Sequence, residues 1–292
     1  KQVCAGYDMT FTMPKSVSAL WAVAPMPVAE QIERAHKAAV DRTVQWLEDN
    51  VAYTRRGKGG VRQVDIAGLI TARFEHRDSR DSDPHLHTHV AVSNKVQAVE
   101  DGAWLALDGR VVFAGTVAAS EFYDTQMAAE LDKLGLVLTP TTSTTSKAVV
   151  LEVAGVPTEL ASGWSSRHEA IMARASVLAR QFEARTGRPP DTKETMALRR
   201  QAHLDTRQAK HEPRSYEEQR TTWREQAEQI LGGPDAVDAM VRNVLGASKT
   251  EAEPTSYSQI VEQTLEAVDS ERAVFSEPHI LAAAHRQVRK AG

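Results

Sequence analysis

The stretch from Phe74 to Val90, FEHRDSRDSDPHLHTHV, contains four of the ten histidines of the chain. The apolar residues that follow this stretch, and the run 69–71 just before it, are typical of β-strands. Residues two apart on a strand point to the same face, so His87 and His89 project together. The Asp-Ser-Asp-Pro turn can bring His76 back beside them. The sequence therefore predicts a cluster of three histidines on one sheet face.

Three neutral imidazoles that converge on one point suit Zn²⁺, Mn²⁺, Ni²⁺ or Cu²⁺ and leave coordination positions open. Such a divalent ion could activate water for hydrolysis or polarise a phosphoryl oxygen. His85 has the same strand parity as His87 and is the alternative third ligand. The sequence has no His-Glu-x-x-His helix motif, Walker A loop, dinucleotide fingerprint or G-x-S-x-G elbow, which argues against the enzyme classes that carry them.

A second informative stretch lies near the start of the chain, where GYDMTFT at positions 6–12 alternates apolar and polar residues. This alternation predicts a half-buried strand with Tyr7, Met9 and Phe11 facing a helical layer. Asp8 then lies on the opposite, polar face. A carboxylate there could orient a ligand histidine or accept a proton in catalysis.

Helical periodicity predicts long helices at about 29–50 and 116–134, and two apolar runs between 136 and 153 predict a hairpin with a polar tip. Residues 53–60 are rich in Arg, Lys and Gly and are predicted to form a flexible basic loop. The fold class is therefore α+β, an antiparallel sheet with helices packed on it, followed by a helical extension.

The chain divides into three predicted parts. Residues 1–157 form the α+β core, and residues 158–232 form the helical extension, which is rich in good helix formers. Gly232-Gly233-Pro234 breaks the pattern, and residues 233–292 are predicted to be a linker towards a downstream, helicase-like region. The basic residues that flank the motif strands and suit phosphate contacts are Lys15, Arg55, Arg56, Lys58, Arg77 and Arg80.

The extension is locally basic, because residues 185–224 hold ten Lys/Arg and six Asp/Glu in a chain of net charge −4. We expect it to hold single-stranded DNA together with the basic loop at Arg55, Arg56 and Lys58. The alternative is a helix surface covered with ion pairs. The single cysteine, Cys4, suits a reducing compartment, and no apolar run is long enough to span a bilayer, so a cytoplasmic location is expected.

The chain resembles the MobF-class conjugative relaxases in two ordered blocks. Residues 7–18, YDMTFTMPKSVS, are similar to their Asp-x-Thr-Phe-x-x-Pro-Lys-Ser-Val-Ser block, and residues 76–89 are similar to their three-histidine block. The resemblance implies a HUH (histidine–hydrophobe–histidine) palm that nicks one strand of hairpin-bearing transfer-origin DNA, with other relaxosome proteins as possible partners. It implies one metal ion, Mg²⁺ or Mn²⁺ with Zn²⁺ or Ni²⁺ as alternatives. It assigns the metal to His76, His87 and His89, a role beside the metal to Asp8, and a place near the DNA to Arg80.

The resemblance also raises an expectation about the nucleophile. Members of the family attack the scissile phosphate with tyrosines that precede the Asp-x-Thr-Phe block, and Tyr7 falls on a core position. We therefore expect the chain as given to lack the nucleophilic tyrosines. Two alternatives to the relaxase remain at this point: a metal-dependent phosphodiesterase or other hydrolase that uses bound water, and a DNA-binding module without catalysis.

Overall fold

The computed structural model of the protein describes residues 4–142, 149–209, 212–248, 255–271 and 273–291. The described strands are β1 (Gly6–Thr12), β2 (Tyr53–Arg56), β3 (Arg62–Asp65), β4 (Thr71–Asp78), β5 (Pro84–Ser93), β6 (Lys95–Gln97), β7 (Trp104–Ala106), β8 (Leu138–Thr142) and β9 (Val149–Val153). The described helices are α1 (Lys15–Val23), α2 (Met26–Asn50), α3 (Gly109–Lys133), α4 (Thr158–Gly163), α5 (Ser166–Thr186), α6 (Thr192–Asp205), α7 (Tyr216–Leu231), α8 (Pro234–Leu245), α9 (Tyr257–Glu271) and α10 (Glu277–Ala291). The predicted α+β class is confirmed.

The central sheet is antiparallel and has the strand order β1-β5-β4. On its middle strand, His87 pairs with His76 of β4, while His89 pairs with Thr10 of β1. Strand β4 continues to Asp78, so His76 lies within the strand and ahead of the turn. This register fixes the histidines on one face.

The opposite face of the sheet is covered by helices, as the alternation in β1 predicts. Phe11 on β1 and Val90 and Val92 on β5 are buried in the core. The ring of Phe11 packs against Tyr123 of α3 with 5.3 Å between centroids. Burying each such side chain stabilises the fold by about 1.5–3 kcal/mol. The packing of this apolar face against the helices therefore fixes the position of the opposite, polar face of the sheet.

Residues 53–60 are not the predicted flexible loop, because β2 pairs with β3 and a short 3₁₀ turn follows it. The arginines of β2 have acidic partners from later in the chain. Arg55 forms an ion pair with Asp108, and Arg56 forms one with Asp101. These pairs fix the hairpin and partly neutralise its charge.

Helix α3 begins earlier than predicted, at Gly109 instead of residue 116. The Asp108 side chain accepts a hydrogen bond from the backbone N–H of Arg110 at 3.3 Å and so caps the helix. The predicted hairpin between 136 and 153 is confirmed by the antiparallel pair β8–β9. Its polar tip, residues 143–148, lies outside the described residues.

The helical extension is attached to the core through the turn Ser79–Asp83, which joins the two histidine strands. Trp223 of α7 donates its indole N–H to the Ser82 carbonyl at 2.9 Å. The Asp83 carboxylate accepts from the backbone N–H of Ser166 at 3.1 Å. Trp223 is fully buried and its ring lies 5.3 Å from that of Trp21 in α1.

Residues 233–292, predicted to be a linker, contain the helices α8, α9 and α10. Helix α10 packs on α3 through Arg289, whose side chain is 1% exposed and ion-paired with Glu121. Arg286 forms a second ion pair with the same carboxylate at 2.6 Å. The described part of this segment is therefore folded onto the core instead of extending from it. Among the described helices, none is both long and apolar enough to cross a membrane.

Candidate metal centre and its cleft

The structure brings the three predicted histidines together. The ring centroids of His76 and His87 are 5.2 Å apart, and each of these rings lies 5.3 Å from that of His89. Two features of the backbone produce this triangle: the alternation along β5 and the direct pairing of β4 with β5. Both features lie within residues 71–93, so the triangle of rings is set by this part of the chain.

Hydrogen bonds to Nδ1 orient two of the rings. His89 donates from Nδ1 to both carboxylate oxygens of Asp8, at 2.9 and 3.0 Å. His87 donates from Nδ1 to the His85 carbonyl at 2.7 Å. Because a carboxylate and a carbonyl can only accept, the proton must lie on Nδ1. Nε2 is then the nitrogen that remains for a metal ion, and burial lowers the pKa of His87, which favours the neutral, ligating form.

The fit of a metal ion to this triangle depends on ring spacing and ring orientation. Imidazoles bound through Nε2 at tetrahedral angles have centroids about 5 Å apart, given metal–nitrogen distances of about 2.0–2.1 Å. The observed spacing agrees with this geometry. As the side chains stand, however, no three His, Cys, Asp or Glu in the described ranges are posed to hold an ion. The residues fit by type and spacing, and binding requires rotation about the soft Cβ–Cγ torsion of the rings.

The ring of His85, the alternative third ligand, packs against the ring of His87, with 4.6 Å between their centroids. Burial lowers the pKa of His85 to about 3, so it is neutral at physiological pH. His76 contacts both other rings of the triangle. Among the described residues, the ring of His85 contacts the ring of His87. This difference favours His76 over His85 as the third metal ligand.

The histidine face opens into a cleft of about 770 Å³. Its charged lining residues are Lys15, Arg77, Arg80, Arg167, Arg207 and Arg214 against Glu75, Asp78 and Asp83, that is, six cations and three carboxylates. Its histidines are His76, His85, His87, His89, His168 and His203. The cleft is thus locally basic in a chain that is acidic overall, which suits an anionic ligand.

Three of the basic residues singled out in the sequence line this cleft. Lys15 donates to the Pro84 carbonyl at 3.0 Å, and burial lowers the pKa of its ammonium group. The Arg77 guanidinium lies over the Tyr216 ring, 4.7 Å from its centroid. Arg80 donates to the Gln208 carbonyl at 2.9 Å. The other three, Arg55, Arg56 and Lys58, belong to the β2 hairpin and its 3₁₀ turn and are not part of the cleft lining.

Sequence reasoning missed the residues that the extension contributes to the cleft. The arginines and histidines among them come from α5, α6 and the segment before α7 and are Arg167, His168, His203, Arg207 and Arg214. The excess of Lys/Arg over residues 185–224 indicated a basic surface, but it could not indicate which side chains face the histidines. Arg167 and His168 lie outside that window.

None of the five tyrosines of the chain lines the cleft. Tyr216 lines a smaller cavity of about 270 Å³ together with His76. Its hydroxyl donates to Glu33 at 3.1 Å, and burial raises the pKa of Tyr216 to about 12, so it is poorly suited to act as a nucleophile. The other four lie on β1, β2, α3 and α9: Tyr7, Tyr53, Tyr123 and Tyr257.

An antiparallel sheet that presents three histidines from its middle and edge strands, with an acidic residue on the neighbouring strand and a basic cleft in front, defines a HUH-type relaxase fold. The TrwC relaxase family matches residues 1–230 of the chain. The protein belongs to this family, within the MobF-class conjugative relaxases.

The relatives found by sequence are multifunctional conjugation proteins. TraI of Escherichia coli is 30% identical over 287 residues, covering 92% of this chain and 16% of the relative. TraI of Escherichia coli strain K12 is 30% identical over 289 residues with the same coverage. The chain therefore spans about a sixth of the length of these relatives.

Solved structures of a conjugative relaxase, TrwC, share the fold. A copper-bound TrwC in complex with oriT DNA superposes with a TM-score of 0.60 at 29% identity, covering 77% of this chain and 71% of that chain. TrwC with a 27-mer DNA comprising the recognition hairpin and the cleavage site gives 0.59 at 28% identity, covering 77% and 74%.

Proposed function

We propose that this chain is the metal- and DNA-binding relaxase core of a conjugative transfer protein. A single strand of transfer-origin DNA lies in the cleft, with its scissile phosphate at the histidine triangle. The observation that carries the proposal is the opening of the triangle of His76, His87 and His89 into a cleft with six cations. Two of the TrwC structures are complexes with transfer-origin DNA, which supports the same ligand class here.

The side chains of the cleft have distinct roles in this proposal. His76, His87 and His89 hold one divalent ion, Mg²⁺ or Mn²⁺ in the cell, which when bound polarises the scissile phosphate. Asp8 holds the His89 ring in its ligating tautomer through the bond to Nδ1. Lys15 places its ammonium group in the cleft and contributes charge towards the phosphate.

Transesterification distinguishes a relaxase from the hydrolase considered above. A tyrosine hydroxyl attacks the phosphorus, the 3′-oxygen leaves, and the products are a 5′-phosphotyrosyl linkage and a free 3′-OH. The linkage conserves the bond energy for resealing. Family membership favours this reaction over hydrolysis. Since none of the five tyrosines lines the cleft, we assign the binding and phosphate-polarising part of the reaction to this chain and place the nucleophile outside these five.

Two measurements test the proposal. His87→Ala and His89→Ala should each weaken Cu²⁺ or Mn²⁺ binding at least tenfold, because two imidazoles hold a divalent ion poorly. His279→Ala on α10 is the control, since this residue is not part of the cleft lining. Binding of hairpin oligonucleotides from candidate transfer origins, with denaturing gels for cleavage, tests the DNA part. Free cleaved ends would favour the hydrolase, and wild-type metal affinity in both variants would refute the ligand set.

Further parts of the proposal concern the cellular setting. We propose a cytoplasmic location and contacts with other relaxosome proteins, as expected from the family. The exposed, unpaired thiol of Cys4 is compatible with a reducing compartment.

A further inference from the structure

The extension contributes three arginines to the lining of the cleft. Arg167 lies in the first turn of α5, Arg207 follows the end of α6, and Arg214 precedes α7. All three line the same cleft as the histidine triangle. Their positions are up to about 140 residues from the histidines in sequence, so only the folded extension places them there. We refer to Arg167, Arg207 and Arg214 as the arginine wall.

Two members of the arginine wall have buried donors without acceptors. Within the part of the chain that the structure describes, Arg214 Nε and Nη2 and Arg167 Nη1 are buried and have no hydrogen-bond partner. Arg214 Nη2 lies 3.7 Å from an Asp78 carboxylate oxygen, which is too far for a hydrogen bond. That oxygen accepts instead from Gln219 at 2.8 Å. Buried donors without acceptors are costly, and an anionic ligand would supply the acceptors.

Arginines elsewhere in the extension do not show this deficit. Arg174 donates to Asp205 at 2.7 Å, and Arg188 contacts both carboxylate oxygens of Glu194 at 2.8 Å. Arg167 itself uses one nitrogen, Nη2, which lies 3.2 Å from His203 Nε2 and leaves Nη1 for a ligand. Elsewhere in the described ranges, Arg56 Nε and Arg289 Nε are also buried without a hydrogen-bond partner, but neither residue lines the cleft. Within the described part of the extension, the buried arginine donors without a hydrogen-bond partner belong to Arg167 and Arg214.

We propose that the arginine wall binds a second, non-reacting backbone phosphate of the DNA strand whose scissile phosphate lies at the histidines. This inference rests on the proposed function. A guanidinium group presents its N–H donors as a planar fork that matches two phosphate oxygens. The cleft volume of about 770 Å³ accommodates more than one phosphate group. Arg167 and Arg214 are positioning residues: they fix the path of the strand and do not touch the reacting atoms.

The test measures binding of a fluorescein-labelled 20-nucleotide oligo-dT by anisotropy at several salt concentrations. Arg214→Gln and Arg167→Gln should each weaken binding about five- to twentyfold and make the slope of log K against log salt shallower by about 0.7, the value for one phosphate contact on single strands. Arg214→Lys retains the charge but loses the fork, so it should retain the wild-type slope with intermediate affinity. Arg188→Gln, an exposed arginine of the same extension, is the matched control and should stay within about twofold.

Two further readouts separate a positioning role from damage to the fold or to the metal site. Arg214 Nε and Nη2 make no hydrogen bond, and the Asp78 carboxylate, 3.7 Å away, keeps its hydrogen bond from Gln219. Arg214→Gln should therefore melt within about 2 °C of wild type. Cu²⁺ affinity should be unchanged in all the variants. If Arg214→Gln does not fold, Arg167→Gln and Arg214→Lys decide the question.

The outcomes distinguish failure of this inference from failure of the proposed function. Variants that match Arg188→Gln in both affinity and slope, while wild type binds DNA, would overturn the arginine wall alone. Wild type that binds metal but no single-stranded DNA would overturn the proposed function. Weakened binding with an unchanged salt slope in both Arg214→Gln and Arg167→Gln would mean that the arginines act on structure, which also contradicts the inference.

Discussion

Acidification should destabilise this protein through a histidine that lies behind the metal-site strand. His36 on α2 is 3% exposed, with Nδ1 2.8 Å from the Tyr123 hydroxyl and Nε2 2.8 Å from the Thr88 hydroxyl. Burial lowers the pKa of His36 to about 4, opposed by the charge of Glu75 and reinforced by His87. Thr88 lies between two of the proposed ligands, so His36 supports the strand that carries them.

The sign of the effect follows from the two pKa values. In the unfolded chain the imidazole takes up a proton below pH 6.5, whereas in the folded protein it stays neutral until about pH 4. The unfolded state therefore binds more protons over this window, and stability falls as the pH falls through it. Between pH 8 and pH 4.5 the loss due to this one residue is about 2.5 kcal/mol.

The perturbation is His36→Gln, and the assay is urea unfolding of wild type and variant at pH 8, 6.5, 5.5 and 4.5. At pH 8 the variant should be less stable by about 1–3 kcal/mol, because buried hydrogen bonds are lost. That difference should shrink by about 2.5 kcal/mol by pH 4.5, because the variant has no proton to take up at this position. Tyr123→Phe removes a hydrogen bond but keeps the imidazole, so it should keep the wild-type pH dependence. A gap between wild type and His36→Gln that stays constant with pH would refute the reasoning.

Three other predictions concern the metal site, the packing of the extension and the nucleophile. Asp8→Ala should weaken Cu²⁺ or Mn²⁺ binding by about 10- to 100-fold through loss of the hydrogen bond to His89, and an affinity equal to that of the control Asp65→Ala on β3 would contradict this. Trp223→Ala should destabilise the fold by about 3–5 kcal/mol in urea unfolding, because the side chain is fully buried, and a loss below 1 kcal/mol would show that the extension is attached mainly elsewhere. The 292-residue chain should bind single-stranded DNA without forming a covalent adduct on a denaturing gel, and an adduct mapped to Tyr216 by peptide mass would show that the nucleophile was misplaced.

The histidine triangle could be predicted because its signals are local. His87 and His89 lie two residues apart on one strand, and the Asp-Ser-Asp-Pro turn is short enough to return His76 to their side. The alternation of β1 likewise placed Asp8 on the correct face. Strand periodicity determines over a few residues which side chains share a face. Once the sheet forms, Asp8 and the three histidines therefore lie on the same face.

The basic loop was predicted wrongly because charge pairing across sheets is not local. Arg55 and Arg56 look like free charges when neighbours in sequence are considered alone. Their partners Asp108 and Asp101 follow about 50 residues later, and they reach β2 only when the small sheets assemble. No pattern within the loop indicates this.

The same limit applies at the other end of the chain. Arg289 on α10 reads as a solvated helix residue, yet its side chain is buried against Glu121 of α3. Burial of an arginine depends on a carboxylate that lies more than 160 residues away in sequence. The arginine wall belongs to this non-local class as well, since it exists only because the extension folds back over the histidines.

The attachment of the extension to the turn Ser79–Asp83 bears on how relaxase genes can recombine. An exchange point at the predicted core boundary near residue 157 would separate Trp223 from the Ser82 carbonyl and Ser166 from Asp83. A chimaera joined there would inherit histidine strands from one parent and the support for their connecting turn from another. A portable unit therefore includes at least the core together with its extension through α7, and chimaeras that divide it should lose metal binding before they lose the sheet.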